Sequence, residues 1–405
     1  MKRELQKWLS VAVFNLLIVA FLGCLLRYKI GYSLPIINQQ FLLHAHSHFA
    51  FAGWVTQALM VLMVKYLGDK SQQNQFPAYR WILWANLLTA YGMLFTFPFE
   101  GYALWSIIFS TASVFSNYAF AFKYWKDLNK ISPKTITNSF FKASLFFNVL
   151  SSIGPFSLAY MMATKSIHSD LYLASVYFFL HFQYNGWFIF ACLGLFSYRL
   201  LLTGIPESKL KTAFYLFAGA CFPAYFLSAL WIPMPVWIYM LVIVAVIAQL
   251  AGWIIILNQI ILHKALLRSH FNSFTRILLI LVAIAFSIKL CLQAASSIPS
   301  LSFLTFGFRP IVIGYLHLVL LGVVSLFIIS YCIPYVYPAL NKENKNGMII
   351  FVAGIIFNEL LLMAEGIADL KYQTIPYMNE ALLGAAVILF IGGLLMNISI
   401  RRVEI

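Results

Sequence analysis

Apolar residues run along this chain in blocks of about twenty, broken by short polar segments and with no period-two alternation that would mark strands. A helical block of that length crosses a hydrocarbon core of about 30 Å. About twelve such blocks lie near 8–28, 41–64, 79–99, 102–122, 139–163, 171–198, 212–231, 236–260, 275–294, 310–334, 347–368 and 379–400. The connections are too short for a soluble domain. Residues 1–405 therefore read as one integral membrane domain of the all-α, polytopic class. The first block follows a basic start, is longer than the apolar region of a signal peptide and lacks a small-residue cleavage site. It reads as a retained helix. No low-complexity tract and no internal repeat stands out.

Composition points the same way. The chain is 62% hydrophobic and 10% charged, against about 25% charged residues in a soluble protein. The five cysteines, Cys24, Cys192, Cys221, Cys291 and Cys332, are scattered through apolar runs without C-x-x-C spacing. They read as small core residues and not as disulfides or a zinc cage.

A net charge of +15 raises the question of nucleic acid. Its distribution answers it. With the N-terminus inside, the outer segments hold only Arg27, Lys29, Lys165, Lys289, Arg309 and Lys371. The other 21 of the 27 basic residues, from Lys2 to Arg402, fall on the inner side, and the acids divide evenly. Such a bias sets orientation in a membrane and predicts both termini inside. No nucleic-acid partner is expected; the expected surroundings are a lipid bilayer, in a bacterial inner membrane.

With that orientation, polar groups meet near the outer surface. The stretch "HAHSHFAFAGW" places His44, His46 and His48 in the first turns of helix 2. His181 falls in the outer half of helix 6 and His317 in the outer half of helix 10. At 1.5 Å per residue they share a depth of about 5–15 Å. His44 and His48 are four residues apart and share a face, with His46 opposite. Ionisable groups at such depth mark pathways or cofactors, and neutral imidazole is a common metal ligand. Glu359 and Glu365 on helix 11, Arg309 before helix 10 and Arg27 on helix 1 complete the set. His168, His263 and His270 lie in loops and read as interfacial hydrogen-bonding residues.

Twelve helices, both termini inside, and histidines on helices 2, 6 and 10 resemble subunit I of the haem-copper oxidases and nitric oxide reductases. The resemblance implies that His44, His46 or His48, together with His317, ligates a haem, b-type by expectation, and that Arg309 and Arg27 pair with its propionates. It places His181 where the family has one copper ligand. It also marks departures. Tyr315 stands where the family has a second helix 10 histidine, and helix 7, "KTAFYLFAGACFPAYFLSALW", has none of the expected pair. "HAHSH" is similar too to the opening of the nitric-oxide-response haem-copper membrane proteins.

The function so implied is haem binding for electron transfer or for handling of O2 or NO, without a complete haem-copper catalytic centre. Copper is left open, and so is whether any oxidoreductase activity remains. Further respiratory subunits, or a cytochrome or quinol donor, are the implied partners. Two other readings fit the residues. One is a secondary transporter whose outward vestibule is lined by His44, His48, His181 and Glu365. The other is a non-catalytic assembly subunit of a respiratory complex. Topology is testable on its own: cysteines introduced beside Lys70, Lys130, Lys209, Arg268 and Lys345 should resist an impermeant thiol reagent added outside intact cells. Labelling at any of them overturns the orientation.

Overall fold

The computed structural model describes residues 1–301, 309–337 and 340–401; Arg402, counted among the inner charges, lies outside them. Among the described residues there is no strand. The long helices are α1 (Lys2–Gly31), α2 (Gln39–Ser71), α3 (Phe76–Glu100), α4 (Leu104–Asn129), α5 (Ile136–Ala163) and α6 (Ser169–Leu202). They continue as α7 (Glu207–Cys221), α8 (Val236–Leu262), α9 (Ser273–Ser296), α10 (Arg309–Val336), α11 (Lys342–Leu370) and α12 (Met378–Arg401). Several starts are set by side chains that take up the orphan N–H groups of a first turn. Asn38 accepts from the amides of Gln40 and Phe41 at 2.8 and 3.2 Å, Asn272 from Thr275 at 2.8 Å, and Asn341 from Asn344 at 2.9 Å.

Ten helices among the described residues are long and apolar enough to cross a membrane, or eleven if α7 and the 3-10 turn Pro223–Ala229 form one span bent by 45°. The α4 helix has the length, at 26 residues, but Ser106, Ser110, Thr111, Ser113, Ser116 and Asn117 dilute its apolar character. The twelve expected spans thus become ten or eleven by this measure. The protein is a multi-pass membrane protein. Its outward faces agree: Phe99 is 84% exposed, Leu88 70% and Val236 76%, as suits helices that face lipid.

Contacts divide the chain into two compact units, Met1–Phe122 with Ser325–Ile405, and Lys123–Val324. In the first, α1 packs on α2 and α12, and α11 on α12. Helices in lipid gain nothing from burying apolar surface against one another, so close packing through small residues holds them together. Gly347 and Gly354 of α11 and Gly392 of α12 serve this here. A Cβ on Gly354 would lie 2.9 Å from Leu389, and one on Gly392 would overlap the Phe351 backbone. In the second unit α5 packs on α6, α7 on α8, and α8 on α9. One apolar cluster there joins Ala220, Ala224 and Leu227 to Val242, Ala245 and Val246.

The α11–α12 contact yields a direct test. Gly392→Val should destabilise the protein by about 1–3 kcal/mol, the usual cost of overpacking. Gly384→Val, where no atom lies within 4 Å of the added carbon, should leave thermal unfolding in detergent unchanged. Equal melting of the two variants would refute the close approach.

Candidate functional site

The three helices that carry His48, His181 and His317 share a departure from α-helical geometry. Each turns π-helical at or just after its histidine: Ala50–Thr56 in α2, Phe182–Phe188 in α6 and Leu318–Ser325 in α10. The sequences correspond: "HFAFAGWV" from His48, "HFQYNGWF" from His181 and "HLVLLGVV" from His317, each with glycine five residues on. This is a repeat that the apolar pattern conceals. π turns are rare and gather at functional sites. The glycines have local reasons. A Cβ on Gly53 would lie 2.7 Å from the Phe49 ring, one on Gly186 would overlap Phe147 of α5, and one on Gly322 would lie 3.3 Å from Ala285 of α9.

A π turn widens the helix and disturbs its hydrogen-bond ladder, which inside a membrane has no water to fall back on. In α2 the neighbouring helices supply the partners. The Asn15 amide of α1 donates to the Gly53 carbonyl at 2.6 Å, and the Asn86 amide of α3 to the Ala52 carbonyl at 3.0 Å. Both amides are held in turn. Tyr91 donates to Asn15 Oδ1 at 2.7 Å, and Asn86 also donates to Gln57 Oε1 at 2.8 Å. In α6, Gln183 donates to Asn148 Oδ1 at 3.0 Å and to Ser151 Oγ at 2.8 Å, both on α5. Asn15 and Asn148 each stand 33 positions before the histidine of their repeat.

On α2 the three imidazoles separate as their spacing predicts. His44 and His48 lie against one aromatic wall. The His48 ring stacks on Phe97 at 4.6 Å, the His44 ring meets Tyr102 edge-on at 4.7 Å, and the Tyr102 hydroxyl is 3.0 Å from His48 Nε2. His46 faces the other way, toward α1, where its ring comes within 3.6 Å of where a Cβ would stand on Gly23.

His181 is fully buried, with both ring nitrogens engaged. Nε2–H donates to the Cys221 carbonyl at 2.8 Å, and Nδ1 accepts from the Asn185 amide at 3.2 Å. The cause lies in α7. Tyr225 N–H bonds Phe222 at 3.1 Å in the 3-10 turn, so Cys221 loses the donor that a continuing α-helix would give it. His181 replaces that donor. Lys289 of α9, 2% exposed, lies in the same region, its ammonium 5.4 Å from the Phe286 ring.

His317 is half-buried, and its Nδ1–H donates to the Ile313 carbonyl at 2.8 Å. That bond fixes the tautomer and leaves the lone pair on Nε2, as a metal-ligating imidazole requires. Tyr315 packs edge-on against Tyr184 at 6.2 Å. Arg309 opens α10 and is exposed, whereas Arg27 is half-buried and interacts electrostatically with Glu365 of α11. Glu359 accepts from Asn358 at 3.1 Å. The loop residues His263 and His270 each bond a backbone carbonyl four residues earlier, at 2.9 and 3.0 Å.

Among the described residues no three His, Cys, Asp or Glu side chains group closely enough to hold a metal ion. A three-imidazole copper centre on His181 does not fit this arrangement, since that ring already serves α7. No protein-family model and no curated protein sequence matches the chain.

The amide network is open to test. Asn15→Ala removes the donor to Gly53 and the acceptor of Tyr91. An interhelical side-chain bond in a membrane averages about 0.6 kcal/mol. Here the bond is buried and Gly53 loses its side-chain donor, so the larger penalty for a buried group that loses a partner, about 1–3 kcal/mol, applies. A melting midpoint equal to that of the parent would show that the π turn does not depend on Asn15.

Proposed function

We propose that this chain is a haem-binding membrane protein that transfers electrons or handles a diatomic gas, without the copper-assisted oxygen chemistry of complete haem-copper oxidases. The observation that carries the reading is the tautomer of His317. A hydrogen bond from Nδ1–H to the helix's own backbone carbonyl gives the tautomer that a metal-ligating imidazole uses, and the π turn that begins at the next residue reshapes the helix beside it. His317 would hold the haem iron. Within the other unit, His46 faces away from the Phe97–Tyr102 wall, toward Gly23 of α1. A bound haem supplies the redox and gas-binding chemistry; the protein supplies axial imidazoles and an apolar setting that adjusts its potential. Arg309, exposed at the head of α10, is suited to a propionate, whereas Arg27 already has Glu365 as counter-charge.

The bilayer is a bacterial inner membrane with both termini cytoplasmic, as the basic residues are distributed, and the electron donor is a cytochrome, a quinol or a companion respiratory subunit. The test is an optical spectrum of the protein purified from cells supplied with haem precursor. A Soret band is expected, with low-spin α and β bands on reduction. His317→Ala should abolish the low-spin form, and His44→Ala and His48→Ala should retain it. A correctly folded protein with no Soret band refutes haem binding and leaves the transporter and assembly readings.

A further inference from the structure

Beyond the haem reading, and independent of it, we propose that His44, His48 and Tyr102 form a binding site for a divalent transition metal, tightest for Cu(II). Two imidazoles four residues apart on one helical face are a recurring metal-binding arrangement. Their rings here are not directed apart into lipid. Both lie against Phe97 and Tyr102, with ring centroids 4.7 Å apart for His44–Tyr102 and 4.6 Å for His48–Phe97. The Tyr102 hydroxyl, 3.0 Å from His48 Nε2, adds an oxygen donor beside that nitrogen, with the His44 ring edge-on to the same phenol.

The backbone is shaped to bring that hydroxyl in. Gly101 has φ +63°, in the left-handed region that glycine adopts without strain, and a Cβ there would overlap the Phe41 ring. Residue 101 therefore turns the chain out of α3 so that Tyr102 returns over the first turns of α2. Glu100 is not a fourth donor, because its carboxylate accepts from the Ser106 amide at 2.6 Å. The set is thus two neutral nitrogens and one phenol, with the remaining positions left to water. Tyr102 is 49% exposed, so the group opens at the protein surface. Imidazole suits Zn, Ni and Cu over Mg and Ca, and for a fixed donor set affinity peaks at Cu(II). Binding exchanges metal-bound waters for ring nitrogens and requires no redox step.

The experiment is a Cu(II) titration of the full-length protein in detergent, followed by electron paramagnetic resonance and by thermal unfolding. One equivalent should bind with hyperfine structure from two imidazole nitrogens, and should raise the unfolding midpoint. His44→Ala and His48→Ala should each weaken binding at least tenfold, and Tyr102→Phe should weaken it severalfold. His270→Ala, on an exposed loop, should bind like the parent. If His48→Ala fails to fold, His44→Ala alone decides. Absence of Cu(II) binding overturns the proposal, and so does binding that survives His44→Ala in folded protein. Haem-free and haem-loaded samples should titrate alike, so that failure here and failure of the haem reading are told apart.

Discussion

Everything else in the histidine region depends on how a displaced backbone carbonyl is satisfied where no water can reach it. An α-helix in lipid is self-sufficient because each interior N–H and C=O is paired within the segment. A π turn gives up part of that self-sufficiency, and the cost must be met by side chains from elsewhere. In α2, Asn15 and Asn86 meet it from opposite sides. Two amides aimed at two successive carbonyls fix both the depth and the rotation of α1 and α3 relative to α2. Tyr91 and Gln57 then hold the amides themselves. The imidazoles of His44, His46 and His48 lie in the α-helical turns just before this network.

A similar arrangement is met differently in α6. There the polar residue lies on the π turn itself, Gln183, and reaches Asn148 and Ser151 on the preceding helix. Its histidine has been drawn into another backbone repair, at the break in α7. Pro223 and the 3-10 geometry after it leave the Cys221 carbonyl without a ladder partner, and His181 Nε2 supplies one at 2.8 Å. A buried imidazole in an apolar helix is thus as well explained by a neighbouring helix's unpaired carbonyl as by a metal. Which applies is decided by both ring nitrogens together. For His181 both are taken by protein; for His317 the bond at Nδ1 sets the tautomer.

Much of the architecture is legible in the sequence because apolar block length and helix length are set by the same bilayer thickness. The blocks near 236–260 and 379–400 become Val236–Leu262 and Met378–Arg401 almost unchanged. Helix ends are less legible, because capping extends helices through polar residues. Asn341 starts α11 five residues before its apolar block. The π turns are hidden for a different reason. A uniformly apolar segment carries no periodic signal from which a change of pitch can be read, so "HLVLLGVV" looks like any buried helix. The legible signal is the recurrence of histidine with glycine five residues later, and tryptophan next in two of the three copies. Asn15 and Asn148, isolated amides in apolar runs, point the same way, since neither has a reason to be in lipid without a polar partner to serve.

Three histidines in five residues also have a geometric rationale. At about 100° per residue, positions 44 and 48 end about 40° apart, while position 46 lies about 160° from either. Alternate histidines therefore cannot act as one cluster on a straight helix. They provide a pair on one face and a single imidazole on the other. The surroundings differ accordingly: the pair meets Phe97 and Tyr102, where Gly101 brings the phenol over it, and the single ring meets α1 at Gly23, where the missing side chain leaves space. One short sequence so supplies two chemically distinct environments at one depth. The π turn begins only after these positions, at Ala50, and Asn15 from α1 and Asn86 from α3 hold it.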